Sequence, residues 1–571
     1  MYSDIKSVQI LVALLKEHNI KRVVVSPGNR NVPIVHSLET DDFFTTYSVI
    51  DERSAGFYGI GLIHKYREPV AICCTSGTAV CNYYSAISEA YYQKLPLLVL
   101  TADRNPYYLN RAEDQMLPQA EGFQSVTKKV VNLPMIKDDF DEYVCQRQVN
   151  EAILALNHHG SGPVQINIPM EKGLGEFNTK ALPKVSVINR WKLFDDWKKI
   201  YSRLIGKKIL VLYGQSFKAS EEDKKYLEEF SRRFGAVIST DILSNLKCEG
   251  AIDTFTLSRV MDAETFKQVL CPDICIMLNS GIVSYVKNSL KNCKGMHEFW
   301  TVNGEGALLD PTFSLKEVFE CAPMQFIKKV VDETKDFDDS DDEYLNKWKK
   351  KVEELNFNNV ELEYSDLLAV KEFANGLCKN SNLHVANSSS VRLLAHYDID
   401  QSINVYCNRG TNGIDGSASS YMGLAGEGKE LNYLLIGDLS FFYDMNSLWN
   451  NLINNNMRIL LNNNAGATLF HYIIGKDKIP TLNRNIAAEH TATAKGWVES
   501  RGFKYIAVNN KKELDDALKE FNAPSEKPIF IEVFSDKEQD ALVLKKAYSQ
   551  FNVSNKNKGV MSVFKKAIRG K

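Results

Sequence analysis

Short runs of apolar and β-branched residues alternate with helical patterns along most of this 571-residue chain. In the first third the strand candidates lie at 22–26, 46–50, 70–74, 97–101 and 164–168. Helical patterns separate them, for example at 52–66 and 77–93. Continuous apolar strands that alternate with helices are typical of a parallel sheet covered on both faces. The alternation therefore predicts an α/β fold.

The same pattern occurs twice more. The later strand candidates lie at 208–213, 236–240, 273–278, 298–302, 383–386, 404–407, 432–436, 457–461 and 528–534. An acidic run that passes into a mixed-charge helix, at 332–355, is interpreted as a solvated linker. The chain is thus predicted to form three doubly wound parallel-sheet domains. In such sheets ligands bind beyond the carboxyl ends of the strands, so the residues after each strand are the candidates for function.

Charge and hydropathy exclude several classes of partner. The 69 Lys and Arg residues nearly balance the 71 Asp and Glu residues, which gives no reason to expect nucleic acid or an anionic membrane. The charged N-terminus resembles an amphipathic helix rather than a signal peptide, and no run reaches the ~18 apolar residues of a membrane span. The expected location is cytoplasmic. Eleven cysteines without a CxxC motif indicate free thiols rather than a zinc site.

Oxygen-bearing side chains follow two consecutive strand candidates in the last third. The first strand ends in Gly437-Asp438-Leu439-Ser440, and the second ends in Asn462–Asn464 followed by Ala465 and Gly466. A carboxylate, an amide oxygen and a loop carbonyl are the hard ligands that Mg²⁺ prefers. Taken alone, such clusters are more often simple turns. Their position at the ends of successive strands favours a metal site.

This arrangement is similar to the thiamine-diphosphate fingerprint, in which Gly-Asp is followed by a helix and an Asn pair. The chain resembles the thiamine-diphosphate-dependent decarboxylase and carboligase superfamily, and most closely its menaquinone-pathway branch, which shares Gly-Asp-Leu-Ser. The motifs that carry the resemblance follow in family order through both outer domains: SPGNRN, DERSAG, CTSGTA, LTADR, GPVQINIP, ANSSSVR, NRGTNGIDG and GDLS. The resemblance implies a pyrimidine-binding domain at 1–180, a central α/β domain at 190–335 and a diphosphate- and Mg-binding domain at 356–571.

The resemblance also assigns cofactor ligands. Asp438, Asn464 and the carbonyl of Gly466 would hold Mg²⁺ or Mn²⁺, although three consecutive asparagines leave the register open by one residue. Thiamine diphosphate would contact residues of both outer domains: Glu52, Thr75, Ser76, Gly77, Ile414, Gly437, Asp438, Leu439, Ser440 and Asn464. From pattern alone, Ile414 is as well explained as a core residue beside a glycine turn, and Thr75–Gly77 as a helix N-cap.

Glu52 is the candidate catalytic residue. It follows a strand and begins a helix, where an acidic residue commonly complements the helix dipole. The family resemblance of DERSAG instead implies the carboxyl group that protonates the cofactor's aminopyrimidine ring. In the superfamily this glutamate and the diphosphate site usually come from different subunits. A homodimer or homotetramer with active sites between subunits is therefore expected.

Four arginines stand at predicted strand ends: Arg30, Arg104, Arg392 and Arg409. Loop arginines are usually solvent-exposed, but a guanidinium also binds carboxylates in a bidentate manner. By the resemblance, Ser388 and Arg392 would bind the 2-oxo acid donor, while Arg30, Arg104 and Arg409 would meet substrate carboxylates. The implied reaction is decarboxylation of 2-oxoglutarate and addition of the succinyl-semialdehyde carbanion to isochorismate, which gives 2-succinyl-5-enolpyruvyl-6-hydroxy-3-cyclohexene-1-carboxylate.

Three features depart from the family pattern. Asn29 replaces a serine, Arg111 occupies the apparent position of a substrate-binding glutamine, and Ala465–Thr468 is bulkier than the usual glycine-rich stretch. Lys287 is a candidate for the basic pair of the central domain. These departures leave open a paralogous lyase or carboligase with a different acceptor, such as a sugar-derived aldehyde or ketone. A non-catalytic scaffold conflicts with the intact Glu52 and Asp438, and no GxGxxG motif supports a nicotinamide or flavin enzyme.

Overall fold

The computed structural model describes residues 1–171, 173–293, 296, 298–337, 341–475 and 478–551. The chain divides into two compact units, residues 1–190 with 316–318, and residues 191–315 with 319–571. Three sheets run through the chain in sequence order, and every strand pairing that the structure describes is parallel. The predicted fold class, three doubly wound α/β domains, is confirmed. The predicted domain boundaries stay a prediction.

The first sheet has six strands in the order β2-β1-β3-β4-β6-β5. Its strands are β1 (Arg22–Val25), β2 (Thr45–Ser48), β3 (Val70–Cys74), β4 (Leu97–Asp103), β5 (Lys129–Asn132) and β6 (Val164–Pro169). Its helices are α1 (Lys6–Glu17), α2 (Val32–Glu39), α3 (Glu52–Tyr66), α4 (Thr78–Asn82), α5 (Tyr84–Tyr92) and α6 (Asp139–Ala155). Apolar clusters cover both faces of the sheet, so its central strands β3 and β4 are buried at every residue. The helix predicted at 77–93 is two helices, divided at Tyr83.

The second sheet has seven strands in the order β10-β9-β8-β11-β12-β13-β7. Its strands are β7 (Asn189–Lys192), β8 (Ile209–Leu212), β9 (Val237–Thr240), β10 (Ala251–Asp253), β11 (Ile274–Met277), β12 (Glu298–Val302) and β13 (Leu315–Glu320). Its helices are α7 (Lys198–Leu204), α8 (Glu221–Phe234), α9 (Phe255–Val260), α10 (Ala263–Thr265), α11 (Val286–Lys291), α12 (Pro323–Glu333) and α13 (Glu343–Glu353). Trp197 and Trp300 are among the fully buried side chains of its core.

The helix α13 corrects the interpretation of 332–355 as a solvated linker. Within it Tyr344, Leu345 and Trp348 are buried, and the Tyr344 hydroxyl donates to the Leu270 carbonyl at 2.8 Å. The Trp348 ring also packs edge-on against Phe266, with centroids 5.9 Å apart. The charged residues occupy the outer face of an amphipathic helix, and its apolar stripe packs onto the second domain. Residues 338–340 lie outside the described residues.

The third sheet repeats the order of the first, as β15-β14-β16-β17-β19-β18. Its strands are β14 (Asn382–Val385), β15 (Asn404–Tyr406), β16 (Asn432–Gly437), β17 (Met457–Asn463), β18 (Lys504–Val508) and β19 (Ile529–Phe534). Its helices are α14 (Asp366–Gly376), α15 (Ser389–Leu394), α16 (Ser417–Ala425), α17 (Asp438–Asp444), α18 (Thr468–Ile473), α19 (Leu482–Asn485), α20 (Lys495–Ser500), α21 (Lys511–Phe521) and α22 (Lys537–Ser549). One apolar cluster lies on each face.

The strand order places the predicted site residues at the carboxyl ends of both outer sheets. In the first sheet Arg30, Glu52, Thr75 and Arg104 follow β1, β2, β3 and β4 respectively. The third sheet presents its candidates in the same way, at the ends of β14, β15, β16 and β17: Ser388, Arg409, Asp438 and Asn464. These are the edges at which doubly wound sheets bind ligands. Among the described helices, none has both the length and the apolar character needed to cross a membrane.

Buried histidines of the third domain are expected to make its stability depend on pH. Burial lowers the pKa of His384 on β14 from 6.5 to about 4. Between these two pH values His384 is protonated in the unfolded chain and neutral in the folded chain. The free energy of unfolding must therefore fall as pH falls through this window. His384→Gln should reduce the acid-induced loss of unfolding free energy by about 3 kcal/mol. Urea unfolding followed at pH 7 and pH 4 measures it, and an unchanged pH dependence would contradict the assignment.

Candidate functional site

The Asp438 carboxylate joins the carboxyl ends of β16 and β17. Its side chain is 5% exposed, and its Oδ1 accepts the Leu439 N–H at 2.6 Å. Oδ2 accepts the Gly466 N–H at 2.9 Å and lies 3.1 Å from Nε2 of His490. Asp438 and Gly466, which the sequence analysis placed at one site, are therefore in direct contact. No carboxylate of this depth is stable without such donors.

The side chain of Asn463 lies beside the same turn as Asp438. Its Nδ2 donates to Glu532 Oε1 at 2.7 Å, and its Oδ1 accepts the Ala465 N–H at 3.2 Å. Asp438 accepts the next N–H along the chain, that of Gly466. Because these two amides are consecutive, the carboxylate of Asp438 and the amide oxygen of Asn463 approach the same bend of backbone. The Oδ1 of Asn463 is therefore engaged by the backbone of this bend.

Asn464 directly follows β17, and its side-chain amide donates to a buried acidic pair. Its Nδ2 lies 3.4 Å from Asp366 Oδ2 and 3.3 Å from Asp540 Oδ2, and it donates to Thr468 Oγ1 at 2.5 Å. The two aspartates are buried, and the Asp366 N–H donates to Asp540 Oδ1 at 3.0 Å. Burial raises the pKa of both carboxyl groups. The amide nitrogen of Asn464 is therefore committed to this acidic pair.

The turn after β17 requires an unusual backbone. Gly466 has a φ of +141°, and a Cβ placed there would lie 2.6 Å from the Ala487 carbonyl oxygen. Ala465 adopts a left-handed φ of +60°, a conformation that costs an L-residue about 1 kcal/mol. The bulkier residues that distinguish this stretch from the family pattern are accommodated, since Thr468 serves as the acceptor for Asn464.

Ile414 lies in a loop that is tied to the start of α17. The Ser440 hydroxyl donates to the Ile414 carbonyl at 2.5 Å, and the side chain of Ile414 is 36% exposed. Asn387 supports the same loop by donating to the Gly413 carbonyl at 2.8 Å. An exposed isoleucine held next to the Gly437–Ser440 turn is not the core residue that the pattern alone allowed.

Three cations gather near the carboxyl ends of β14 and β15. Burial and the positive charge of Arg392 lower the pKa of Arg409, and burial and Arg409 lower the pKa of Lys287. Among the described residues, Arg409 Nε and Arg392 Nη1 are buried without a hydrogen-bond partner. Ser388 beside them has a strained φ of +71°. Unpaired buried guanidinium donors and backbone strain together indicate an anion-binding site.

In the other unit, Glu52 is the first residue of α3 and is half-buried. Its Oε2 accepts from Nδ2 of Asn82 at 3.4 Å, which leaves Oε1 outside that hydrogen bond. Asp51, not Glu52, caps the helix by accepting the Ser54 N–H at 2.8 Å. The capping role that the sequence allowed for an acidic residue thus belongs to Asp51, and the Glu52 carboxyl group remains available for chemistry.

The end of β3 forms a polar turn in the same unit. Thr75 Oγ1 accepts the Arg30 N–H at 3.1 Å, and Gly77, with a φ of +81°, donates its N–H to Gln119 at 3.2 Å. The Ser76 hydroxyl is buried and has no hydrogen-bond partner among the described residues. A buried hydroxyl without a partner at a strand end is consistent with a ligand-binding turn.

Arg30 and Arg104 share this edge of the first sheet. Burial and the positive charge of Arg104 lower the pKa of Arg30, whereas Asp103 and Glu113 act in the opposite direction. Arg104 Nη1 is 2.8 Å from Glu113 Oε1, and its Nε is buried without a partner in the described part of the chain. The first unit therefore presents a second cationic cluster near Thr75.

Comparison with known proteins identifies the family. The family profile "Thiamine pyrophosphate enzyme, N-terminal TPP binding domain" matches residues 5–126. A 2-succinyl-5-enolpyruvyl-6-hydroxy-3-cyclohexene-1-carboxylate synthase of Bacteroides fragilis is 40% identical over 96% of this chain and 100% of its own length. The synthase of Bacteroides thetaiotaomicron is also 40% identical, over 96% of this chain and 99% of its own, and that of Flavobacterium johnsoniae is 31% identical over 96% and 100%.

The chain belongs to the 2-succinyl-5-enolpyruvyl-6-hydroxy-3-cyclohexene-1-carboxylate synthase family. It is thus a thiamine-diphosphate-dependent transferase, and the family inferred from the motifs is confirmed. The roles of individual residues stay predictions. The structure brings together Asp438 with Gly466, Ile414 with Ser440, and Arg392 with Arg409.

Two residues that contact the predicted site residues are absent from the sequence prediction. Gln115 lies against Gly77, because a Cβ on that glycine would be 3.2 Å from the Gln115 Cα. Sequence reasoning had placed the substrate glutamine's position at Arg111, four residues earlier in the same LNRAEDQ segment. His490 contacts Asp438 from an irregular loop that no strand pattern marks. The LNRAEDQ segment could have pointed to the glutamine, whereas no sequence motif marks the histidine.

Proposed function

We propose that this protein decarboxylates 2-oxoglutarate and adds the resulting four-carbon unit to isochorismate, to give 2-succinyl-5-enolpyruvyl-6-hydroxy-3-cyclohexene-1-carboxylate. The observation that carries the proposal is 40% identity to synthases of that product over nearly the whole of both chains. A paralogue with another acceptor remains the second candidate, since Asn29 and Arg111 depart from the family pattern. The cationic clusters at Arg30 and Arg409 favour an acceptor that carries carboxylates.

The residues present fit thiamine diphosphate. The orphaned Ser76 hydroxyl and the exposed Ile414 stand at the two strand edges that the family resemblance assigns to the cofactor. When bound, the cofactor supplies the nucleophilic carbon and the electron sink that decarboxylation requires. Glu52 would hold a proton at Oε1, the oxygen outside the hydrogen bond from Asn82, and present it to the pyrimidine ring.

We propose that Mg²⁺, or Mn²⁺ in its place, is held by Asp438, one asparagine of the triplet and the carbonyl of Gly466. The sequence prediction named Asn464. The contacts support that choice, because Asn464 donates its Nδ2 to Asp366 and Asp540 and so turns its Oδ1 away from them, whereas Asn463 Oδ1 already accepts the Ala465 N–H. A carboxylate, an amide oxygen and a carbonyl leave room for diphosphate oxygens in an octahedral shell.

Different arginines would bind the carboxylates of the two substrates. Arg392 and Arg409 offer buried donors without partners, which a carboxylate of 2-oxoglutarate would satisfy with Ser388 beside them. Arg30 and Arg104, with Arg409, would meet carboxylates of the acceptor. Lys287 adds a further positive charge next to Arg409. Clustered cations raise the local concentration of a doubly charged substrate and orient it at the same time.

A homodimer, or a homotetramer built from it, would bring Glu52 of one copy to Asp438 of another. Large apolar side chains near Glu52 are exposed in the single chain: Ile50 80%, Phe57 44%, Tyr58 46% and Tyr84 44%. Near Asp438, Tyr443 and Trp449 are exposed to 73% and 69%. Monomeric proteins rarely expose large apolar surfaces to water, so we infer that a second copy of the chain covers these side chains.

The first test is CO₂ release from 2-oxoglutarate in the presence of thiamine diphosphate and Mg²⁺, with and without isochorismate. Release should rise strongly with isochorismate, and the adduct should be seen by mass spectrometry. Glu52→Gln should lower turnover by a factor on the order of 10² or more, because it removes the proton donor. Cofactor binding without isochorismate-dependent turnover would instead favour the paralogue with a different acceptor.

Two alanine variants separate the candidate metal ligands. Asn464→Ala should raise the Mg²⁺ concentration needed for thiamine diphosphate binding about tenfold or more, measured by calorimetry, because an amide oxygen of the shell is lost. Asn463→Ala should leave that Mg²⁺ concentration unchanged and lower the melting temperature instead, since the buried Glu532 loses a hydrogen-bond donor. The reverse pattern would assign the metal to Asn463.

Mixed oligomers test whether the active sites lie between subunits. Glu52→Gln and Asp438→Ala chains, each nearly inactive, should recover activity when co-expressed in equal amounts. One of the two sites in each mixed dimer then has both native residues, so random pairing restores about a quarter of wild-type activity. Mixtures no more active than the single variants would place Glu52 and Asp438 of one site in the same chain.

A further inference from the structure

His490 binds the Asp438 carboxylate in a direction that its own environment determines. The imidazole Nδ1 lies 3.1 Å from the Ala492 N–H, which donates to it, and Nε2 lies 3.1 Å from Asp438 Oδ2. A neutral imidazole has one acceptor nitrogen and one donor nitrogen. Since Nδ1 accepts from the backbone, Nε2 carries the hydrogen and donates it to Asp438.

This bond completes an asymmetric set of donors around the carboxylate. An ionised carboxylate offers about four lone-pair sites. Gly466 N–H and His490 Nε2–H both donate to Oδ2, and the Leu439 N–H donates to Oδ1. Oδ2 is therefore fully used by the protein, and Oδ1 keeps one lone pair. Without His490, either oxygen could turn toward a cation.

The ring of His490 is itself held in place. Phe442 of α17 packs edge-on against it, with ring centroids 5.4 Å apart and an interplanar angle of 83°. The imidazole is only partly exposed, at 19% of its side-chain area. A ring fixed by a backbone amide on one side and an aromatic edge on another has little freedom to release Asp438.

We propose that His490 is a positioning residue for the metal site, which orients Asp438 so that Oδ1 alone faces the cation. The proposal rests on the Mg²⁺ site proposed above. It gives the loop at 487–494 a defined task, since the loop presents both the histidine and the amide of Ala492 that sets its tautomer. Groups that orient a metal ligand in this way typically change metal affinity by a factor of about 10–100 when removed.

His490→Leu and His490→Gln form the matched pair that tests the proposal. Leucine removes the donor, whereas the glutamine amide places an N–H near the position of Nε2. For full-length protein, thiamine diphosphate binding is titrated by tryptophan fluorescence over a range of Mg²⁺ concentrations, with Trp497 on the neighbouring helix as one probe. The melting temperature of the metal-free protein reports whether each variant is folded.

For His490→Leu we expect the Mg²⁺ concentration at half-saturation to rise about tenfold or more, and for His490→Gln to stay within about threefold of wild type. The metal-free melting temperatures should be alike. Unchanged Mg²⁺ dependence in the leucine variant, or an equal loss in both variants, would overturn the positioning role.

The wild-type titration distinguishes the two levels of inference. Cofactor binding that is independent of Mg²⁺ in wild type would remove the metal site and the role of His490 with it. Mg²⁺-dependent binding without turnover of isochorismate would remove only the proposed reaction, and the comparison of the two His490 variants would still decide the role of the histidine.

Discussion

The Asp438 carboxylate is the interaction on which the diphosphate half of this protein depends. A buried carboxylate must be compensated by donors, and here they come from its own helix, from the turn after the neighbouring strand and from a loop 52 residues away. Each donor fixes the position of the segment that carries it. The carboxylate therefore assembles the site before any ligand is bound, which lowers the cost of ordering these segments when a ligand arrives.

Topology explains why so many functional candidates share two sheet edges. The first and third sheets have the same strand order, in which the first strand lies between the second and the third. Parallel strands end together, so a single motif after each strand is brought to one edge. In the third domain these motifs supply a carboxylate at Asp438, amides at 462–464 and guanidinium groups at Arg392 and Arg409. Four short motifs, each directly after a strand, thus supply the residues of a large site.

The sequence predicted most interior strands and missed several edge strands, although it found the edge strands β2 and β15 and missed the interior strand β13. Strands β3 and β12 occur at the predicted residues, because burial on both faces leaves a continuous apolar run. The missed strands β5, β7, β10 and β18 all lie at or form a sheet edge, and their residues are largely exposed or half-buried. Their stability comes from pairing with one buried neighbour, which leaves little apolar signal. Helix α13 was misjudged for a related reason, because its charged residues outnumber its buried apolar residues.

The site shows a finer limit of the same kind. Three consecutive asparagines stand at the end of β17, and alternation along the strand does not say which of their amide oxygens lies beside Asp438. That depends on the connection between β16 and β17, which the structure shows: the face of Asn463 also holds Glu532, and the face of Asn464 holds Asp366 and Asp540. His490 is harder still, since its contact depends on the path of an irregular loop. Motifs predict which residue types meet at a sheet edge, and only side-chain direction decides which of them touch.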